Sequence, residues 1–102
     1  MIKLTARDRF NALSNADHIF AFCEEKIPFK ILDIVNGAEN SCKAVVQLKD
    51  GSIKGLFTDS SSAKNALHEV KAVFDTEQPF ILIQLKKTAK DQSVYYAEVL
   101  ED

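Results

Sequence analysis

The 102-residue chain has few of the residues that usually mark linkers, disulfides and stacking platforms: it contains three Gly, two Pro, two Cys and no Trp. So few Gly and Pro leave little room for a linker, and a chain of this length is expected to form one domain with a single core. No stretch reaches the roughly 20 apolar residues of a membrane-spanning helix. Charged residues also stand near the N-terminus, where a signal peptide needs an apolar run. We therefore expect one domain over residues 1–102, located in the cytoplasm.

The chain also lacks the motifs that carry catalysis or bind metals. Cys23 and Cys42 are far apart and the two histidines are scattered, so neither a disulfide framework nor a zinc site is expected. There is no GxGxxG, P-loop, GxSxG or HExxH motif. The adjacent carboxylates of Glu24 and Glu25 diverge and cannot converge on one substrate atom. The sequence predicts no cofactor, no metal and no enzymatic activity.

What the chain does have is a clear order of patterns. Segments rich in β-branched and apolar residues alternate with turn signals, and one amphipathic helix interrupts them. The predicted elements are a helix over Ala6–Leu13 capped by Thr5, strands over 26–36 and 43–58 (the latter a hairpin), a helix over Ala63–Phe74, and strands over 80–87 and 93–100. We expect a mainly β domain of the α+β class, with five strands in βββαββ order over residues 27–100 and an N-terminal helix and variable segment over 1–26.

Residues 18–24 within that variable segment fit two structures. They form either a helix capped by Asn15, burying Ile19, Phe20 and Cys23, or a strand leading into the next strand. The strand is the preferred prediction.

The hairpin is the best-defined element. Asp50-Gly51 suits the centre of a type I′ turn, and this turn places Gln47 opposite Lys54 and Val45 opposite Leu56. Directly opposed residues share a face of the sheet. The predicted core face consists of Ala44, Val46, Leu48, Ile53, Gly55 and Phe57, and the predicted outer face of Lys43, Val45, Gln47, Lys49, Lys54, Leu56 and Thr58.

The charge distribution favours one type of ligand. The protein as a whole has a net charge of −2, yet residues 43–58 and residues 86–91 each carry three lysines and one aspartate. Both basic segments are hairpin regions of the predicted sheet. The negative net charge argues against a histone-like protein that binds polyanions through its overall charge. The two basic hairpins are instead compatible with a local contact to a negatively charged nucleic-acid strand.

This organisation resembles that of OB-fold single-stranded nucleic-acid-binding proteins, in particular small ones from phages and mobile elements. The resemblance covers about residues 27–100 and consists of element order and hairpin placement. In that family the ligand lies across strands 2 and 3, between the loops that join strands 1–2 and 4–5. It implies a five-stranded OB-like barrel with a platform of Lys43, Val45, Gln47, Lys49, Lys54 and Leu56, flanking loops 36–41 and 86–91, phosphate contacts from Lys86, Lys87 and Lys90, and base stacking by Phe29 and Tyr96.

The expected function is therefore binding of single-stranded DNA, without strong sequence preference, in replication, recombination or transfer. RNA is not distinguished from DNA, and a dimer or higher oligomer is compatible with this function. The alternative is a protein-protein interaction module (an adaptor, an inhibitor or an assembly factor) with Val45 and Leu56 in its interface. A third option is an oligosaccharide or peptide ligand on the same barrel.

Overall fold

The computed structural model describes residues 5–39, 41–90 and 92–100. They form an α+β fold, a strongly curled six-stranded half-barrel with three helices. The elements are α1 Ala6–Ser14, β1 Asp17–His18, α2 Ile19–Glu24, β2 Phe29–Asn36, β3 Cys42–Leu48, β4 Ile53–Thr58, α3 Ser61–Phe74, β5 Phe80–Lys87 and β6 Ser93–Val99. The strand order in the sheet is β1-β4-β3-β2-β5-β6.

The number and order of strands differ from the predicted five-stranded barrel. The two residues of β1 pair in parallel with β4, through Asp17 opposite Leu56 and His18 opposite Phe57. The outer edge of β4 is thus occupied by the N-terminal segment, while β6 lies at the other end of the strand order. A two-residue strand has no periodicity of its own, so no sequence pattern could have indicated this pairing.

Helix α1 begins where the sequence predicts. The Oγ1 of Thr5 accepts a hydrogen bond from the Asp8 N–H at 3.1 Å, and the Asp8 carboxylate accepts one from the Thr5 N–H at 3.4 Å. This reciprocal pair is a capping box, which satisfies backbone donors that the first turn of a helix leaves free. The helix ends at Asn15, whose backbone and side-chain N–H groups both donate to the Asn11 carbonyl.

Substitution of Thr5 by Ala is expected to lower the free energy of unfolding by about 1 kcal/mol, because it removes the cap of α1. Urea denaturation followed by circular dichroism measures this difference. Ser61→Ala is the control, since Ser61 is an exposed residue in the first turn of α3. Equal losses in the two variants would contradict the role assigned to the Thr5 cap.

The preference for a strand over residues 18–24 is wrong. Ile19–Glu24 is helical, and its cap is His18, whose Nδ1 accepts from the Phe20 N–H at 3.1 Å. Ile19 and Phe22 are buried, whereas Phe20 is 44% exposed. The helical spacing of three places the two buried residues on one side, which an alternating strand would not do.

The core lies between the inner face of the curled sheet and helices α2 and α3. Its buried residues are Ile19, Phe22, Phe29, Ile31, Cys42, Ala44, Val46, Leu56, Ala63, Leu67, Val70, Ile81 and Ile83. Ala63, Leu67 and Val70 of α3 are buried, whereas Val73, at helical spacing from Val70, is 69% exposed. Burial raises the pKa of the Cys42 thiol and that of the Tyr95 phenol, so both groups are held in their neutral form.

The hairpin forms, but its predicted register is wrong by one residue. Gly51 has a φ of +90°, whereas Asp50 does not adopt the positive φ that a type I′ turn also requires at that position. The Leu48 N–H donates to the Ser52 carbonyl, which closes a three-residue loop with a glycine bulge. The Asp50 carboxylate stabilises this loop by accepting from both the backbone N–H and the hydroxyl of Ser52, at 2.9 and 2.6 Å.

The extra loop residue exchanges the two faces of β4. Ala44 lies opposite Leu56 and Gln47 opposite Ile53, so Leu56 turns into the core. Gly55 and Phe57, which were predicted to face the core, lie on the outer face instead.

Candidate nucleic-acid interface

Helix α1 covers the outer face of β3 and β4, where the sequence predicts the ligand platform. A Cβ atom added to Gly55 would lie 1.9 Å from the carbonyl oxygen of Ala12, so the helix backbone rests directly on β4. Lys43 Nζ donates to the Leu13 carbonyl at 3.3 Å near the end of the helix. An ion pair between Arg9 and Asp33 also ties the helix to β2.

Three of the predicted binding residues are buried and cannot form a ligand surface. Leu56 belongs to the core because of the register shift. Val45 pairs with Gly55 on the outer face and is fully buried there, next to the point where α1 meets the sheet. Phe29 is also fully buried, with its ring packed edge-on against Phe22 at a centroid distance of 5.5 Å. These three assignments are therefore wrong.

Four predicted lysines are exposed but do not lie together. Lys43 donates a hydrogen bond to a carbonyl at the end of α1. Lys54 is exposed near the tip of the hairpin, where it lies opposite Val46 on the side that faces the core. Lys87 lies opposite Ser93 on β6. Since successive residues of a strand point to opposite faces, Lys87 projects from the face of β5 opposite to that of Lys86. Lys90 lies in the loop between β5 and β6. Asn40 and Asp91, in the two predicted flanking loops, are outside the described residues.

The remaining predicted residues meet on the outer face of β2, β3, β5 and β6. Lys30 lies directly opposite both Gln47 on β3 and Phe80 on β5. The Nζ of Lys30 is 4.8 Å from the Phe80 ring centroid, and that of Lys49 is 5.5 Å from the same point. Two ammonium groups, one on β2 and one in the hairpin loop after β3, thus converge on one ring.

A second contact of the same kind lies further along β5. Lys86 Nζ is 5.3 Å from the centroid of the Tyr96 ring, and Tyr96 lies opposite Gln84. Gln84 donates from Nε2 to the Glu98 carboxylate at 2.7 Å. We refer to this surface as the lysine–aromatic face; it consists of Lys30, Gln47, Lys49, Phe80, Gln84, Lys86 and Tyr96.

Cation–π attraction contributes about 0.5–1 kcal/mol at an exposed site of this kind. It places each ammonium group beside a ring rather than free in solvent. The face therefore presents positive charge and flat aromatic surface at the same points. Carboxylates lie beside the face as well: that of Glu98 accepts a hydrogen bond from Gln84, Glu69 lines a cavity with Lys86 and Tyr96, and Asp75 and Glu77 line another with Lys30 and Gln47.

The sequence interpretation did not include Lys30, Phe80 or Gln84. The alternation that buries Ile81 and Ile83 also places Phe80, Gln84 and Lys86 on the opposite face, so this part of the surface was readable from the sequence. Lys30 was missed because Phe29 was expected to point outward, which would turn Lys30 towards the core. The large cost of burying an unpaired lysine argues against that orientation.

No protein-family model, curated protein or solved structure matches this chain. In the part of the chain that the structure describes, no three His, Cys, Asp or Glu side chains are placed to hold a metal ion. Across the same residues, no helix combines the length and apolar character needed to cross a membrane.

Proposed function

We propose that this protein binds single-stranded DNA or RNA, without strong sequence preference, through the lysine–aromatic face. The observation that carries the proposal is the convergence of three lysines on two aromatic rings on one side of the sheet. Lysines neutralise the phosphates of a strand, and aromatic rings stack on its bases irrespective of their identity.

The shape of the face favours a single strand over a duplex. Phe80 and Tyr96 are only partly buried, and they lie on a sheet rather than on a protruding helix. In a duplex the flat surfaces of the bases are covered by their neighbours, and specific contacts are made to base edges in the grooves. Rings on a sheet surface can stack only on bases that are already unstacked.

We propose that the half-barrel is, more specifically, a barrel of the OB type. Residues 29–99 run through three strands, α3 and two strands, and the sheet they form is strongly curled. The ligand surface is displaced from that of the family, because α1 occupies the outer face of the central hairpin. A role in replication, recombination or transfer, with a phage or mobile-element origin and a possible homo-oligomeric state, belongs to the same proposal.

A protein-protein interaction is the second candidate function, and one observation favours it. Val35, Lys43 and Phe57 are aligned across β2, β3 and β4 on the outer face. The two apolar members of this row are 39% and 38% exposed. An apolar contact at this row would be nearly insensitive to salt, which separates it from binding to phosphates.

Fluorescence anisotropy with a labelled single strand of about 30 nucleotides tests the proposed function. Three lysine–phosphate contacts should give a slope of about −2 for log K against log salt. Affinity should then fall by about 20-fold between about 50 and 200 mM salt. A duplex of the same sequence is the control and should bind more weakly. If the folded protein binds no oligonucleotide at low salt, the proposal is wrong and the interaction module is the better account.

A further inference from the structure

We infer that the lysine–aromatic face holds two base-stacking positions, Phe80 and Tyr96, which a single segment of about four or five nucleotides bridges. This inference rests on the proposed function and adds to it the length of the ligand and the way it is held. It follows from the register of β5 and β6 and from the distribution of lysines between the two rings.

The register gives the separation of the two positions. Phe80 and Gln84 lie on the same side of β5, four residues apart, and Tyr96 lies opposite Gln84 on β6. With about 3.3 Å per residue along a strand and about 4.8 Å between strands, the backbone positions of the two aromatic residues are about 14 Å apart.

A nucleic-acid strand can bridge this separation with few nucleotides. Successive phosphates of one strand in a stacked helix are about 3.4 Å apart along its axis, so about four steps connect the two rings. A more extended strand needs fewer steps. The resulting length lies at the short end of the range of about 4–16 nucleotides seen for single-strand binding by OB folds.

The lysines make the two positions unequal. Phe80 has two ammonium groups near its ring, and Tyr96 has one. A base that stacks on a ring takes the place of an ammonium group, which can then contact a flanking phosphate through a stronger, charge-assisted hydrogen bond. The Phe80 position therefore offers two phosphate contacts beside its base and is occupied first by a short ligand.

The experiment compares oligothymidylates of about two and ten nucleotides, titrated into the protein and followed by NMR chemical shifts. The variants are Phe80→Ala, Tyr96→Ala and the double substitution. With the longer ligand, each single substitution should lower affinity about tenfold, and the double substitution about 100-fold. With the two-nucleotide ligand only Phe80→Ala should have an effect, because its single step is shorter than the separation of the two rings even when the strand is extended.

Two control variants separate a stacking role from a structural one. Tyr96→Phe keeps the ring and should retain wild-type affinity for the longer ligand. Phe10→Ala removes a ring that is 69% exposed on α1 and should leave binding unchanged. Thermal unfolding of each variant shows whether the fold is retained.

The outcomes distinguish a failure of the two-position arrangement from a failure of the proposed single-strand binding. If Tyr96→Ala weakens both ligands equally, or if neither alanine variant changes affinity while wild-type binding remains salt-dependent, the two-position arrangement is wrong and the proposed function stands. If the wild-type protein binds neither ligand and no longer single strand at low salt, both are wrong.

Discussion

Replacement of Lys30, Lys49 and Lys86 by Glu is expected to weaken the binding of a long single strand by about 100-fold or more at about 50 mM salt. Each substitution removes one of the proposed phosphate contacts and places a repelling carboxylate in its position. The dependence of affinity on salt should disappear together with the affinity, since the counterion release that produces it comes from these contacts. Anisotropy titrations at several salt concentrations measure both quantities.

The matched control is the replacement of Lys26, Lys54 and Lys90 by Glu. It changes the net charge of the protein by the same amount, at three exposed positions off the lysine–aromatic face. It also includes two of the lysines that the sequence interpretation placed in the site. Binding should fall only slightly in this variant. Equal losses in the two triple variants would mean that overall charge, and not this face, controls binding.

Substitution of Gly55 by Ala is expected to lower the free energy of unfolding by about 3 kcal/mol, since overpacking against an unyielding neighbour costs this much. The new Cβ would lie 1.9 Å from the Ala12 carbonyl oxygen and 2.6 Å from its carbon. These are backbone atoms, so α1 must move off the sheet, which would expose the buried Val45. Urea denaturation gives the stability, and hydrogen exchange of the α1 amides shows whether the helix has separated.

Gly51→Ala is the comparison for that result. Gly51 has a φ of +90° and open space around it, so an added Cβ meets no neighbour and costs only the backbone strain of about 1 kcal/mol. The two variants make the same chemical change at positions that differ in packing. If Gly55→Ala were no more destabilising than Gly51→Ala, the close seating of α1 on β4 would be contradicted.

The hairpin between β3 and β4 shows which features the sequence predicted correctly and which it did not. Asp50-Gly51 correctly indicated a tight turn, but both a two-residue and a three-residue loop accommodate that pair. The choice between them moved Leu56 from the predicted outer face into the core. Alternation of apolar residues could not decide the register, because β4 offers apolar side chains on both of its faces.

The candidate site was predictable in part. Lys49, Lys86, Gln47 and Tyr96 are among the residues assigned from the sequence, and they lie on the lysine–aromatic face. Phe29 was assigned to the wrong side of β2, and Phe80, on the same face of β5 as the assigned Lys86, was not included. The contact of Lys30 and Lys49 with the Phe80 ring joins β2, the hairpin loop after β3 and β5, which are separate in the sequence, and local patterns contain no information about such a contact.

The sequence by itself determined the elements whose residues carry their own signal. Helix α1 follows from its capping box and α3 from its apolar stripe, while β5 and β6 follow from alternation. Only the tertiary structure decided that α1 lies over β3 and β4, that β1 occupies the edge of β4, and that Lys30, Gln47 and Phe80 of three different strands lie side by side. The physical reason is that periodicity records whether a residue is buried, whereas the segment that buries it is selected by packing between distant parts of the chain.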